Sequence, residues 1–176
     1  MPGFGFAKRK SLRWLPIVMW ISGLNAQTCI VLSAPTVSPD GTASLDLSLY
    51  SVRGNEPAAL QWTFQYSSTN IQTLTVNDGP ALTPAGKTTI CRGDAPSLTC
   101  LAVGNNTKTI ASGIVAKVTA VLAPGGTAAP IQITSALAVS SSGYQIPLMA
   151  KVLASRDATV PSDCVPQLQR RAPVGK

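Results

Sequence analysis

The stretch AALQWTFQY, Ala58–Tyr66, alternates without a break. Leu60, Trp62, Phe64 and Tyr66 fall on one side of an extended chain, and Gln61, Thr63 and Gln65 fall on the other. Successive side chains of a strand point to opposite faces, so this is a half-buried β-strand with its aromatics inward. The same period governs TASLDLSLY, Thr42–Tyr50, where Ala43, Leu45, Leu47 and Leu49 share a face. Further β-rich runs lie at Ile71–Val76, Leu98–Val103, Gly113–Leu122 and Pro130–Val139, with short ones at Ile30–Leu32 and Tyr144–Leu148. Turn-forming clusters separate them: SPDGT, VRGNEP, NDGP, TPAG, GNNT, APGG and SSSG. No apolar stripe at helical spacing stands out beyond residue 26. Short strands at regular intervals indicate an all-β fold, an antiparallel β-sandwich or jelly roll of about nine strands.

The first residues read differently. Lys8, Arg9, Lys10 and Arg13 precede an apolar run from Trp14 to Leu24, and Leu24-Asn25-Ala26 offers a cleavage site. This is the layout of a secretory signal peptide, and the run is too short to span a bilayer. The expected organisation is therefore a signal at 1–26, a β-sandwich domain at 27–154 and a polar C-terminal segment at 155–176. That last segment is expected to be partly disordered, with Cys164 tied back to the domain. Removing the four early positives from the formal charge of +7 leaves +3, and Arg170, Arg171 and Lys176 sit in the tail. The remaining chain is close to neutral and has no basic run, which argues against a nucleic-acid partner.

Four cysteines in an exported chain read as two disulfides. Cys91 and Cys100 flank a short polar segment and are paired here, which leaves Cys29 with Cys164 at the ends of the domain. Spacing alone permits three pairings. A zinc site is disfavoured, because the chain has no histidine and no C-x-x-C pair. Between Cys91 and Cys100 lies Arg92-Gly93-Asp94. The triplet reads as a polar turn in preference to an adhesion ligand, since Gly and Asp are favoured in turns on conformational grounds alone.

The missing chemistry is informative. Without histidine the commonest general base is absent. The seven acids fall mostly in turn-like segments, and nothing pairs two of them across a site as glycoside hydrolysis requires. An enzyme is the least favoured class, and no cofactor or metal is expected. The aromatic stripe of Trp62, Phe64 and Tyr66 reads as core, with a sugar-stacking platform as its rival.

At EPAALQWTFQYSSTNIQTLTVNDG, Glu56–Gly79, the chain resembles the cohesin domain, the nine-stranded jelly-roll module of cellulosome scaffoldins. The resembling features are an aromatic alternation ending in Tyr66, the turn SSTN, the apolar strand Ile71–Val76 and Gly79. SGIVAKVTAVL, Ser112–Leu122, is similar to a second strand of that family, with Gly113 at the turn and Ala116 inside. GTASLDLSL, Gly41–Leu49, and IQITSALAVSSSGYQI, Ile131–Ile146, fit an early and the closing strands. The resemblance implies a secreted, non-catalytic module at the cell surface or outside the cell, in a polysaccharide-degrading context. Its implied partner is a dockerin, a calcium-loaded helical module. The implied docking face is the outer side of the aromatic strand, here Gln61, Thr63 and Gln65. The alternatives are a carbohydrate-binding module and a structural surface or matrix protein.

Overall fold

In the computed structural model, residues 27–126 and 131–164 are described. The expected signal peptide and the segment after Cys164 lie outside them. The described residues form eleven strands and one short helix. Nine strands have five residues or more: β1 (Thr28–Leu32), β3 (Thr42–Tyr50), β4 (Ala59–Gln65), β5 (Ile71–Asp78), β6 (Thr88–Arg92), β7 (Ser97–Val103), β8 (Gly113–Leu122), β9 (Gln132–Val139) and β11 (Leu148–Val152). β2 (Thr36–Val37) and β10 (Gln145–Ile146) have two residues each, and α1 (Leu82–Ala85) is a single turn. One sheet runs β11-β1-β3-β8-β5, with β2 added beside β3. The other runs β10-β9-β4-β7-β6. The two sheets stack as a β-sandwich.

The alternation read from the sequence fixes which side of each strand is inward. Leu60, Trp62 and Phe64 of β4 are fully buried, as are Leu47 and Leu49 of β3 and Val118 of β8. They form one core with Ile30, Leu32 and Leu82. Trp62 and Phe64 meet edge to face, ring centroids 6.4 Å apart at 73°, the arrangement that the charge distribution of aromatic rings favours. Gly79 ends β5 where a Cβ would run into the Ile114 carbonyl, and its N–H donates to the Val115 carbonyl at 3.0 Å. Only a glycine lets the two backbones approach so closely.

Two features depart from a simple antiparallel reading. The run expected as one strand at Tyr144–Leu148 is divided. β10 pairs with β9 in one sheet, and after Pro147 the chain crosses to the other sheet as β11. Proline lacks the N–H a ladder needs, so it suits the crossing point. β11 then lies parallel to β1, Thr28 opposite Leu148 and Leu32 opposite Val152. The TPAG segment, read as a turn, contributes to α1, which closes at Gly86 in the left-handed conformation.

β1 is buried along its whole length. Ile30 and Leu32 face the main core, whereas Cys29 and Val31 face outward beneath the segment that follows β11. There they form a second small cluster with Cys164, against Tyr50, Met149, Leu153 and Val160. Burial on both faces explains why TCIVL reads as a continuous apolar run without alternation. Cys29 and Cys164 are bonded, with Cα atoms 5.4 Å apart across 135 positions of sequence. Lys151 and Asp163 pair at 3.6 Å on the surface nearby.

Candidate functional site

The outer face of the sheet built on β4 is set by its register. Gln61 lies opposite Leu101 of β7 on one side and Leu137 of β9 on the other. Leu101 lies in turn opposite Ile90 of β6. Leu60, Trp62, Phe64, Cys100, Ala102 and Ala138 occupy the inner face, so Leu137, Gln61, Leu101 and Ile90 form one outward row across four strands. A second row runs Ser135, Thr63, Thr99 and Arg92, and a third runs Gln132, Gln65 and Ser97. Gln61, Thr63 and Gln65 thus share one face, as the alternation implied. Gln65 is exposed, and the other two are half-buried by their neighbours.

The composition of this face is unusual in two respects. Ile90 is 51 % exposed and Leu101 37 % exposed, and they are cross-strand neighbours. Single exposed aliphatics are ordinary on protein surfaces. Here the two lie side by side across β6 and β7, with hydroxyl and amide side chains in the adjoining rows. The second respect is charge. Among the residues of β4, β6, β7, β9 and β10, Arg92 is the only ionisable side chain apart from the disulfide cysteines. The remaining polarity is hydroxyl and amide. The Thr63 and Thr99 hydroxyls bond each other at 3.0 Å across β4 and β7, and the Thr134 hydroxyl donates to the Thr63 carbonyl at 3.5 Å.

Cys91 and Cys100 are a directly opposed pair of β6 and β7 on the inner side of this sheet, with Cα atoms 4.0 Å apart. They lie within the strands, and the turn lies beyond them. β6 is an edge strand paired only with β7. The cross-link therefore holds the strand that carries Ile90 and Arg92 against the rest of the face. Arg92 is the last residue of β6, and Gly93 and Asp94 enter the turn. Gly93 has φ +104°, and a Cβ there would meet the Ser97 carbonyl oxygen at 2.7 Å. Ser97 N–H donates to the Asp94 carbonyl at 2.8 Å. Gly93 and Asp94 thus have structural tasks in the turn, whereas Arg92 belongs to the strand before it. Burial, and then the charge of Asp94, pushes the Tyr66 phenol above its ordinary value. The Asp94 carboxylate therefore acts on a residue of the core side.

The aromatic stripe is inside the molecule. Trp62 and Phe64 are fully buried and Tyr66 nearly so, which leaves no stacking platform on β4. Tyr144, in the β9–β10 turn, is the strongly exposed aromatic among the described residues. No group of three His, Cys, Asp or Glu side chains among those residues could hold a metal ion. No helix among them is long and apolar enough to cross a membrane.

Sequence reasoning found the β4 part of this face and missed Ile90, Arg92, Leu101 and Leu137. These residues come from three separate strands, and only the register brings them together. One signal was present. SLTCLAV, Ser97–Val103, places Leu101 and Val103 out of phase with Leu98, Cys100 and Ala102, so the strand is apolar on both faces.

No family model and no curated protein sequence matches this chain. Solved structures do. The sixth cohesin of scaffoldin B from Acetivibrio cellulolyticus, solved with a Cel5 dockerin, superposes with a TM-score of 0.59 at 13% identity, over 72% of this chain and 94% of that one. The OlpA cohesin from a type I cohesin–dockerin complex of Clostridium thermocellum gives 0.59 at 11% identity, over 72% and 99%. A non-cellulosomal cohesin from the archaeon Archaeoglobus fulgidus gives 0.53 at 8% identity, over 75% and 94%. With two sheets, nine principal strands and the aromatic strand at the centre of one sheet, this chain has a cohesin-type fold.

Proposed function

We propose that the chain is a secreted, non-catalytic recognition module that docks a dockerin-type protein partner on the outer face of the β4 sheet. The observation that carries this reading is the contiguous outward row of half-buried Leu137 and Gln61 and exposed Leu101 and Ile90 on a cohesin-type fold. Such a row suits a helical partner, which lays an apolar stripe along a flat or grooved surface. Two of the similar cohesins were solved with dockerins bound, which supports a protein partner over a glycan. The buried aromatics point the same way, because a carbohydrate platform needs exposed ring faces. Two disulfides fit an oxidising, extracellular setting and agree with the export signal read at 1–26. The work expected of this domain is to hold an enzyme-bearing partner in a polysaccharide-degrading or cell-surface assembly.

The test is calorimetric titration of the purified, signal-free protein with calcium-loaded dockerin modules encoded in the source genome. Binding of at least one module, lost in Gln61→Arg with the circular dichroism spectrum unchanged, is the expected result. Undiminished binding by Gln61→Arg places the partner elsewhere. Binding of none of the modules overturns the dockerin reading.

A further inference from the structure

Arg92 stands at one corner of an otherwise uncharged face. It follows Ile90 on the outer side of β6 and lies opposite Thr99, beside the apolar row. The one ion pair among the described residues joins Lys151 and Asp163 elsewhere, so Arg92 has no ionic partner among them. Asp94 is close in sequence, yet it sits in the turn beyond the strand and forms no ion pair with Arg92. The backbone that carries the guanidinium is held in place. β6 is fixed to β7 by the Cys91–Cys100 bond one residue away, and the following turn requires glycine at position 93. An exposed guanidinium on an anchored strand at the margin of an apolar strip is a donor set for a carboxylate, which it can bind through two parallel N–H bonds.

Resting on the docking reading above, we infer that the partner's docking segment carries an apolar ridge ending in an acidic side chain that pairs with Arg92. The apolar row contributes the adhesion, and the single charge sets which way round the partner lies. An apolar strip crossed by one glutamine has little to distinguish its two ends, whereas one charge at one corner breaks that symmetry. Charge at the margin of an interface governs association rate and discrimination more than total affinity. A segment with a basic residue at that end is accordingly rejected.

The experiment measures association of calcium-loaded dockerin modules from the source genome with four variants, at low and high salt. Leu101→Asp breaks the apolar row. Arg92→Gln and Arg92→Glu remove and reverse the charge, and Lys117→Glu makes the same reversal on an exposed residue of the opposite sheet. The inference predicts loss of detectable binding for Leu101→Asp. It predicts weakening of about threefold for Arg92→Gln and about tenfold for Arg92→Glu, mostly in the association rate and diminished by high salt. Lys117→Glu has no comparable effect. Replacing the partner's facing carboxylate by lysine restores binding to Arg92→Glu. If Leu101→Asp abolishes binding while Arg92→Glu leaves it unchanged, the docking face stands and the role of Arg92 is overturned. If neither change matters, the face itself is wrong and the inference falls with it.

Discussion

The two disulfides do different work, and their removal separates the two tasks. Cys29–Cys164 spans 135 positions and Cys91–Cys100 spans 9. If a cross-link acts by restricting the unfolded chain, its contribution grows with the logarithm of the loop it closes. That relation gives about 5 kcal/mol for the long bridge and about 2.6 kcal/mol for the short one. The comparison is a fair one because the sulfur environments are similar. Cys29, Cys100 and Cys164 are almost completely buried and Cys91 is half-buried. Substitution by alanine pairs, and not serine pairs, avoids placing an unpartnered hydroxyl in either cluster. Against a total stability of about 5–15 kcal/mol for a domain, the double variant Cys29→Ala/Cys164→Ala is left close to the threshold of folding. Urea unfolding read by tryptophan emission, with both free energies extrapolated to water, gives the comparison. Cys29→Ala/Cys164→Ala should lose about 2 kcal/mol more than Cys91→Ala/Cys100→Ala. For partner binding the order reverses, since only the short bridge holds the edge strand carrying Ile90 and Arg92. An equal or larger stability loss from the short bridge would refute the unfolded-state argument and place its contribution in native packing.

Other predictions concern the core and its titration. Trp62 lies fully buried at the centre of the β4 sheet, so Trp62→Ala should cost about 3–5 kcal/mol in urea unfolding; a loss below about 1 kcal/mol would show that the ring is not packed as described. Tyr66 has its phenol raised from the ordinary 10.0 by burial and by Asp94. The folded state therefore holds that proton more tightly than the unfolded chain. The associated stability is fully present below the ordinary value and is lost as pH climbs through the raised one. Tyr66→Phe should flatten this alkaline decline, and Asp94→Asn should move the tyrosinate absorbance titration part of the way back. No movement in Asp94→Asn would place the Asp94 carboxylate away from Tyr66.

How much of this was legible in the sequence depended on whether the determining contacts were local. The alternation of Leu60, Trp62, Phe64 and Tyr66 needs no partner to be read, because the two-residue period belongs to the strand itself. It gave the inward aromatics and the outward Gln61, Thr63 and Gln65. The pairing of β1 with β11 is parallel and joins the two ends of the domain, and no local signal announces it. The same holds for the outward row. Ile90, Leu101 and Leu137 are unremarkable one at a time and become a surface only through the registers of β6, β7, β4 and β9. Arg92 was read as part of a turn, and its place on the outer face followed only once β6 was seen to run through Cys91 to Arg92. The cohesin resemblance stood on packing patterns, which is why it carried the fold further than the partner.

The most direct measurement is a map of backbone amide shifts in the isotope-labelled protein as a calcium-loaded dockerin module is added. The account predicts perturbations concentrated on β4, β7 and β9, reaching Ile90 and Arg92 of β6, with Ser44, Thr75 and Thr119 of the opposite sheet unmoved. Perturbations centred on those three residues, or confined to the loops at either end of the sandwich, would contradict it.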